Sequence, residues 1–271
     1  MARSLAVTAA AGIATSVVCL SLAGLFSPYR GLSFPFWSAP PYERGWWGYR
    51  RWRGQAPFIE SGDIITREFG WDGGDSLQIL IPGVVYFENA PEWSVSVKGR
   101  ESSVGHLLIE DGTILLDAPP ASPDTSLEVR IRGPSLESIG INGSGNLILV
   151  NIAQKEIAID IRGSGSVEGS GKVEEMELRI FGSGSAELGE LATGDLEVSI
   201  FGSGDAEVAP AGDVEVSIFG SGDLRLLTRP RRVSQRIMGS GRVIESAKGA
   251  DESQITTLPG AVRSEQERIS I

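Results

Sequence analysis

Two aspartates, Asp205 and Asp223, each follow a copy of the same tripeptide, Gly-Ser-Gly. Carboxylates repeated in this way acquire chemistry only if the chain stacks them. On neighbouring parallel strands, ~4.8 Å apart, each would raise the other's pKa or share a cation with it. That opens either a calcium site or an acid/base pair of the kind that cleaves polysaccharides. The position just after the tripeptide reads Asn146, Ser166, Ser185, Asp205, Asp223 and Arg242. No third acid joins the pair, and Arg242 stands where it can neutralise it. The position just before reads Asn142, Arg162, Phe181, Phe201, Phe219 and Met238. Phe181, Phe201 and Phe219 fall in consecutive copies. They form either a stack that ties neighbouring coils together or an exposed seat for a sugar chain or a partner protein.

Other candidates for chemistry are weaker. The serines of the tripeptide make a complete hydroxyl row, which hydrogen bonding at a corner accounts for. The stretch FGSGDAEV touches on calcium-binding nonapeptide repeats, but Asp follows only two copies and the period is about twice too long. His106, the single histidine, lies outside the repeats in an apolar run and is read as structural. The chain has no nucleophile elbow, phosphate loop, zinc-ligand spacing or cofactor fingerprint. No catalytic residue, metal site or cofactor is assigned.

The tripeptide that positions these rows begins at Gly143, Gly163, Gly182, Gly202, Gly220 and Gly239. A fixed period of about 19 residues is the mark of a repeat architecture. Two positions earlier stand Ile141, Ile161, Ile180, Ile200, Ile218 and Ile237; four earlier stand Ile139, Ile159, Leu178, Val198, Val216 and Gln235. Four positions later stand Leu147, Val167, Ala186, Ala206, Leu224 and Val243. Polar residues, glutamates among them, fill the places between. A period of two, apolar in and charged out, specifies strands with one buried face. Each repeat reads as strand, glycine corner, strand and second turn, with no room for a helix. Stacked coils bury the isoleucines in one column, each worth roughly 1.5–3 kcal/mol, which a single coil could not bury alone. The expected fold is all-β: a single-stranded parallel β-solenoid of about 19 residues per coil, right-handed by the general rule for parallel crossovers, preceded by an apolar N-terminal helix.

The rest of the chain divides by composition. Residues 1–26 are a signal peptide or membrane anchor. Leu5–Phe26 is almost wholly apolar behind Arg3, and Ser21-Leu22-Ala23 offers small residues suited to cleavage. Cys19, the only cysteine, excludes an intrachain disulfide; the residues before it do not fit a lipoprotein signal. Residues 27–57 form a linker rich in Pro, aromatics and Arg, suited to a lipid–water interface or to a disordered spacer. Its positive charge opposes export if the helix is left uncleaved. Residues 58–134 carry strand runs without the glycine period, at Leu77–Ile81, Trp93–Val97, His106–Ile109, Thr113–Leu116 and Leu127–Ile131, and are expected to be opening coils or a β cap. Residues 135–246 are the repeat solenoid, and 247–271 a polar, aperiodic tail expected to be disordered. The net charge of −11 is concentrated in residues 58–246. Such a surface repels nucleic acid and anionic lipid and leaves cations, neutral sugars and proteins as partners.

The pieces REFGWDGGDSLQILIPG, SVSVKGR, LLIEDGTILLD, LEVRIRGPSLESIGINGSG and the later IFGSG copies, in that order, resemble the auto-transporter adhesin head family, the GIN domain. The resemblance runs from Thr66 to Glu245. It implies an exported single-stranded β-helix and supplies no catalytic residues to carry over. The expected function is a non-enzymatic envelope module for adhesion, binding or structure, with a surface glycan or envelope protein as partner. The alternative is a carbohydrate lyase or hydrolase working through carboxylates on the same scaffold.

Overall fold

A computed structural model describes residues 56–122 and 125–246, with the backbone of 256–257. The apolar segment Leu5–Phe26, nearly all of the linker and all but two residues of the tail lie outside these. Among the described residues no helix is long and apolar enough to cross a membrane.

The glycine repeats form a parallel solenoid. Strands β8 (Ser138–Gly143), β9 (Asn146–Gly163), β10 (Ser166–Gly182) and β11 (Ser185–Gly202) lead into β12 (Asp205–Pro210), β13 (Asp213–Gly220), β14 (Asp223–Leu226), β15 (Arg232–Gly239) and β16 (Arg242–Glu245). Each coil pairs in register with the next, tripeptide on tripeptide, so that Gly182 lies against Gly202 and Gly202 against Gly220. The isoleucine column follows: Ile141, Ile161, Ile180, Ile200, Ile218 and Ile237 are successive partners. All are buried except Ile237 on the last coil, which is half-buried. The facing column runs through Leu147, Val167, Ala186, Ala206, Leu224 and Val243, also buried.

The corner is built by its two glycines. The first glycine has φ between +111° and +142° in all six copies, a range that L side chains rarely adopt. The second is buried, and from Gly165 onward a Cβ on it would strike the isoleucine side chain and glycine carbonyl of the previous coil. The serine between them donates its backbone N–H to the first glycine's carbonyl one coil back, at 2.8–2.9 Å in five successive corners.

The opening segment is less regular than its sequence implied. It contains β1 (Ile64–Phe69), β2 (Ser76–Ile79), β3 (Val84–Asn89), β4 (Ser94–Arg100), the one-turn helix α1 (Glu101–Gly105), β5 (Leu107–Glu110), β6 (Thr113–Leu116) and β7 (Glu128–Gly133). The coil β2–β3 pairs in parallel with β8 and β9 on one side and with β6 and β7 on the other. The later segment therefore lies further out than the earlier one, and the order of coils is not the order of the chain. Ile114 and Ile79 extend the buried isoleucine column through this exchange. The outermost coil is closed by antiparallel strands: β5 on β6, β4 on β7, and β1 on β4. β5 and β6 turn through Asp111 and Gly112, both at positive φ, the conformation a two-residue hairpin needs. At the other end β17 (Thr256–Thr257) pairs antiparallel with β16.

Inside and outside carry different consequences. Ile200 is fully buried, while Glu187 is exposed on the outer face. Ile200→Asp places an unpaired charge in the core column and is expected to lower stability by at least ~4 kcal/mol. Glu187→Ala should stay within about 0.5 kcal/mol of the parent. Chemical denaturation of the two variants checks this; equal midpoints would refute the assignment of faces.

Candidate functional site

Parallel register turns the repeat into rows of outward side chains. On the strand leading into each corner, Arg162, Phe181, Phe201, Phe219 and Met238 are successive partners. The three phenylalanines are half-buried and stack, with ring centroids 4.9 and 5.0 Å apart and planes within 3°. The Arg162 guanidinium lies over the outer face of Phe181, 5.6 Å from its centroid. Each ring thus turns its faces to its neighbours along the column. The tripeptide serines Ser144, Ser164, Ser183, Ser203, Ser221 and Ser240 lie beside the ridge, all exposed.

Two residues back along the same strands runs the row Asp160, Arg179, Ser199, Ser217 and Arg236; two further back runs Ala158, Glu177, Glu197, Glu215 and Ser234. The face is therefore an aromatic ridge and an acidic one with Ser199 and Ser217 between them, flanked by Arg179 and Arg236. Asp160 closes one end, buried between Arg162 at 3.3 Å and Arg179 at 3.9 Å. Arg179 also pairs with Glu177.

The second face, after the corner, holds Asp205 and Asp223. They are stacked neighbours, but their oxygens are engaged. Asp205 Oδ1 accepts the backbone N–H of Asp223 at 2.8 Å. Asp223 in turn accepts the backbone N–H of Arg242 at 3.1 Å and its Nη2 at 2.6 Å. The same ladder begins in neutral form, where the Ser166 hydroxyl donates to Asn146 Oδ1 at 3.0 Å. Beside it is a shallow, open depression of about 360 Å³ lined in part by Ser185, Glu187, Glu207 and Arg225. His106 lies far from both faces in sequence and structure: it caps α1, stacks on Phe58 and bonds Asp117 at 2.7 Å through Nδ1. Among the described residues no cluster of His, Cys, Asp or Glu is arranged to hold a metal ion.

The family model for "Putative auto-transporter adhesin, head GIN domain" matches residues 78–230. The chain belongs to this family. No curated protein matches it. A crystal structure of a putative adhesin from Bacteroides fragilis NCTC 9343 is similar, with a TM-score of 0.54 at 18% identity over 69% of this chain and 99% of that one. That likeness shows the fold. A putative adhesin and a putative lipid binding protein, both from Parabacteroides distasonis ATCC 8503, are similar at 18% and 19% identity, with TM-scores of 0.44 and 0.43. They cover 70% and 71% of this chain and all of each of theirs.

The acidic row of this GIN domain is hidden in the sequence by its regular alternation. Glu177, Glu197 and Glu215 fit the outward alternation and looked like ordinary solvated charges. A signal was available in their recurrence five positions before the corner in three consecutive copies, which puts three like charges in one stack. Burial against the neighbouring coils pushes the Glu177 carboxyl up to about 7, with Glu197 and Asp160 adding to the rise and Arg179 opposing it. Burial, then the Glu215 charge, raises Glu197 as well. On the coil before the last the opposite holds: a hydrogen bond from Arg231 is the main cause holding Asp213 below its usual range.

The rise on Glu177 makes stability depend on pH. Between about pH 4.5 and 7 the folded chain keeps a proton on Glu177 that the unfolded chain has released. This group's contribution is full below that window and is lost as the pH rises through 7, at about 1.4 kcal/mol per pH unit. Glu177→Gln, which never ionises, should match the parent near pH 4 and exceed it at pH 8 in thermal unfolding. A Tm difference between Gln and Glu that is the same at both pH values would contradict the assignment.

Proposed function

We propose that this GIN domain is an exported, non-enzymatic binding module of the cell envelope, and that it meets a protein partner on the face between the phenylalanine ridge and the glutamate ridge. Family membership supports an envelope role, and the apolar segment Leu5–Phe26 supports export. The observation that carries the choice of face is the continuous ridge of Phe181, Phe201 and Phe219 running parallel to the row of Glu177, Glu197 and Glu215. Apolar groups repeated at an outward position forgo some of the burial they would gain inside, and a partner surface restores it. The rings present edges rather than faces, whereas a sugar stacks on a ring face. That favours a protein surface, and the adjoining acids favour one bearing basic groups. Asp205 and Asp223, already holding backbone and guanidinium donors, are candidates for a supporting contact at the edge of that surface.

Each stacked pair contributes roughly 0.5–1.5 kcal/mol, so the coils survive its loss. A chain carrying Phe181→Ser, Phe201→Ser and Phe219→Ser should remain folded, with Tm lowered by several degrees. It should no longer be retained by the envelope fraction of the producing bacterium, whereas the parent is retained and heat-treated parent is not. The single variant Phe201→Ser guards against unfolding of the triple one. Unchanged retention of the folded triple variant would remove the ridge from the contact. Retention abolished by soluble glycans but not by protease treatment of the envelope would make the partner a sugar.

A further inference from the structure

The two ends of the solenoid differ in a way that fits them to each other. Among the described residues, β1 pairs only with β4 and β15 only with β13, so each leaves one edge of backbone N–H and C=O groups without a strand partner. The large hydrophobic residues that stand well exposed gather at these same ends. Ile59 and Ile64 are 76% and 63% exposed at the β1 end, and Met238 is 61% exposed on β15. The inward side of β15 is also unfinished: Val233 and Ile237 are only half-buried, where their counterparts one coil earlier are covered. Gln235 takes the inward place held by Val216, Val198 and Leu178 in the preceding coils, and its Oε1 is buried with no hydrogen-bond donor.

Charge sets the pairing. Around β1 lie Glu60, Asp63, Glu68, Asp72 and Asp75 against Arg67 on the strand itself and Lys98 and Arg100 on its partner β4; on the last coil lie Arg229, Arg231, Arg232, Arg236 and Arg242 against the single Glu245. Arg231, Arg232 and Arg242 already pair with acids of the coils before, at Asp195, Asp213 and Asp223. The outermost layer is nevertheless basic at one end and acidic at the other. Charged residues on an edge strand ordinarily keep copies apart. Here that holds for like ends only, since β15 on β15 and β1 on β1 would set like charges together.

We propose that this chain assembles head to tail, the free edge of β15 in one copy pairing with the free edge of β1 in the next. The contact is heterologous, so it leaves one free edge of each kind at every step and grows into a linear array rather than closing as a dimer. Main-chain hydrogen bonds give the joint its strength, Met238 and Ile64 lose water, and Arg236 faces the acidic end that bears Glu68.

Light scattering and sedimentation of the full chain in mild detergent, over a range of protein and salt concentrations, test this directly. Assemblies larger than two copies are expected to grow with concentration and weaken as salt rises. Arg236→Glu alone and Glu68→Arg alone should each weaken assembly about tenfold. Mixing the two variants should restore it, because each reversed end then meets a reversed partner. Circular dichroism checks that both variants fold, which their exposed positions favour; Arg236→Gln and Glu68→Gln serve if either does not. A monomer at every concentration, an assembly that stops at two copies, or arrays indifferent to both reversals would each overturn the proposal.

Discussion

The contact on which this molecule depends is glycine against glycine at the corner. The first glycine of each tripeptide occupies a positive φ, and from Gly163 onward the carbonyl of the glycine one coil earlier fills the place where a Cβ would stand. That approach lets the serine N–H reach the same carbonyl, and so locks one coil to the next without slippage. A strand slipped by one residue would turn its whole inward set to solvent. The corner therefore fixes the isoleucine column, and through it every outward row.

Rows give this fold its chemical character. Identical or related side chains are held about one strand spacing apart, whether or not they repel. Where the row is Phe the result is a stack; where it is Glu, two of the three carboxyls are held half-buried and one is pushed up to about 7. Where Asp is followed by Arg, the column closes on itself through Asp223 and Arg242. The same register thus produces an apolar ridge, an acidic ridge and a neutralised ladder from three substitutions in one template.

Much of this was legible in the chain itself. The invariant isoleucine two places before each corner, with its alternating neighbours, defined the buried face, and the glycine period defined the parallel stacking. The vertical neighbours followed, including Phe181 over Phe201 and Asp205 over Asp223. The opening segment was harder. β1 and β3 carry no glycine period, and nothing local in Leu77–Ile81 or Thr113–Leu116 reveals that the second lies outside the first in the stack. That exchange is a matter of long-range pairing, set by which edges are free when the chain closes its first coil. Nor could alternation alone show that Glu177 is half-buried, since desolvation by neighbouring coils depends on the rows beside it. His106 looked like part of a strand and instead ends a one-turn helix, held by Asp117 across the hairpin base.

The corner glycines, rather than the strands, set the stacking. Gly202→Ala tests this most directly, with Gly105→Ala as the control, because a Cβ on Gly105 meets open space and one on Gly202 meets the Gly182 carbonyl at φ +131°. Hydrogen exchange should show the serine N–H bonds on both sides of Gly202 losing protection, and thermal unfolding should show a fall in Tm well beyond that of the control. Unchanged protection at Ser203 and Ser221, with a Tm equal to the control's, would show that the strands alone hold the register.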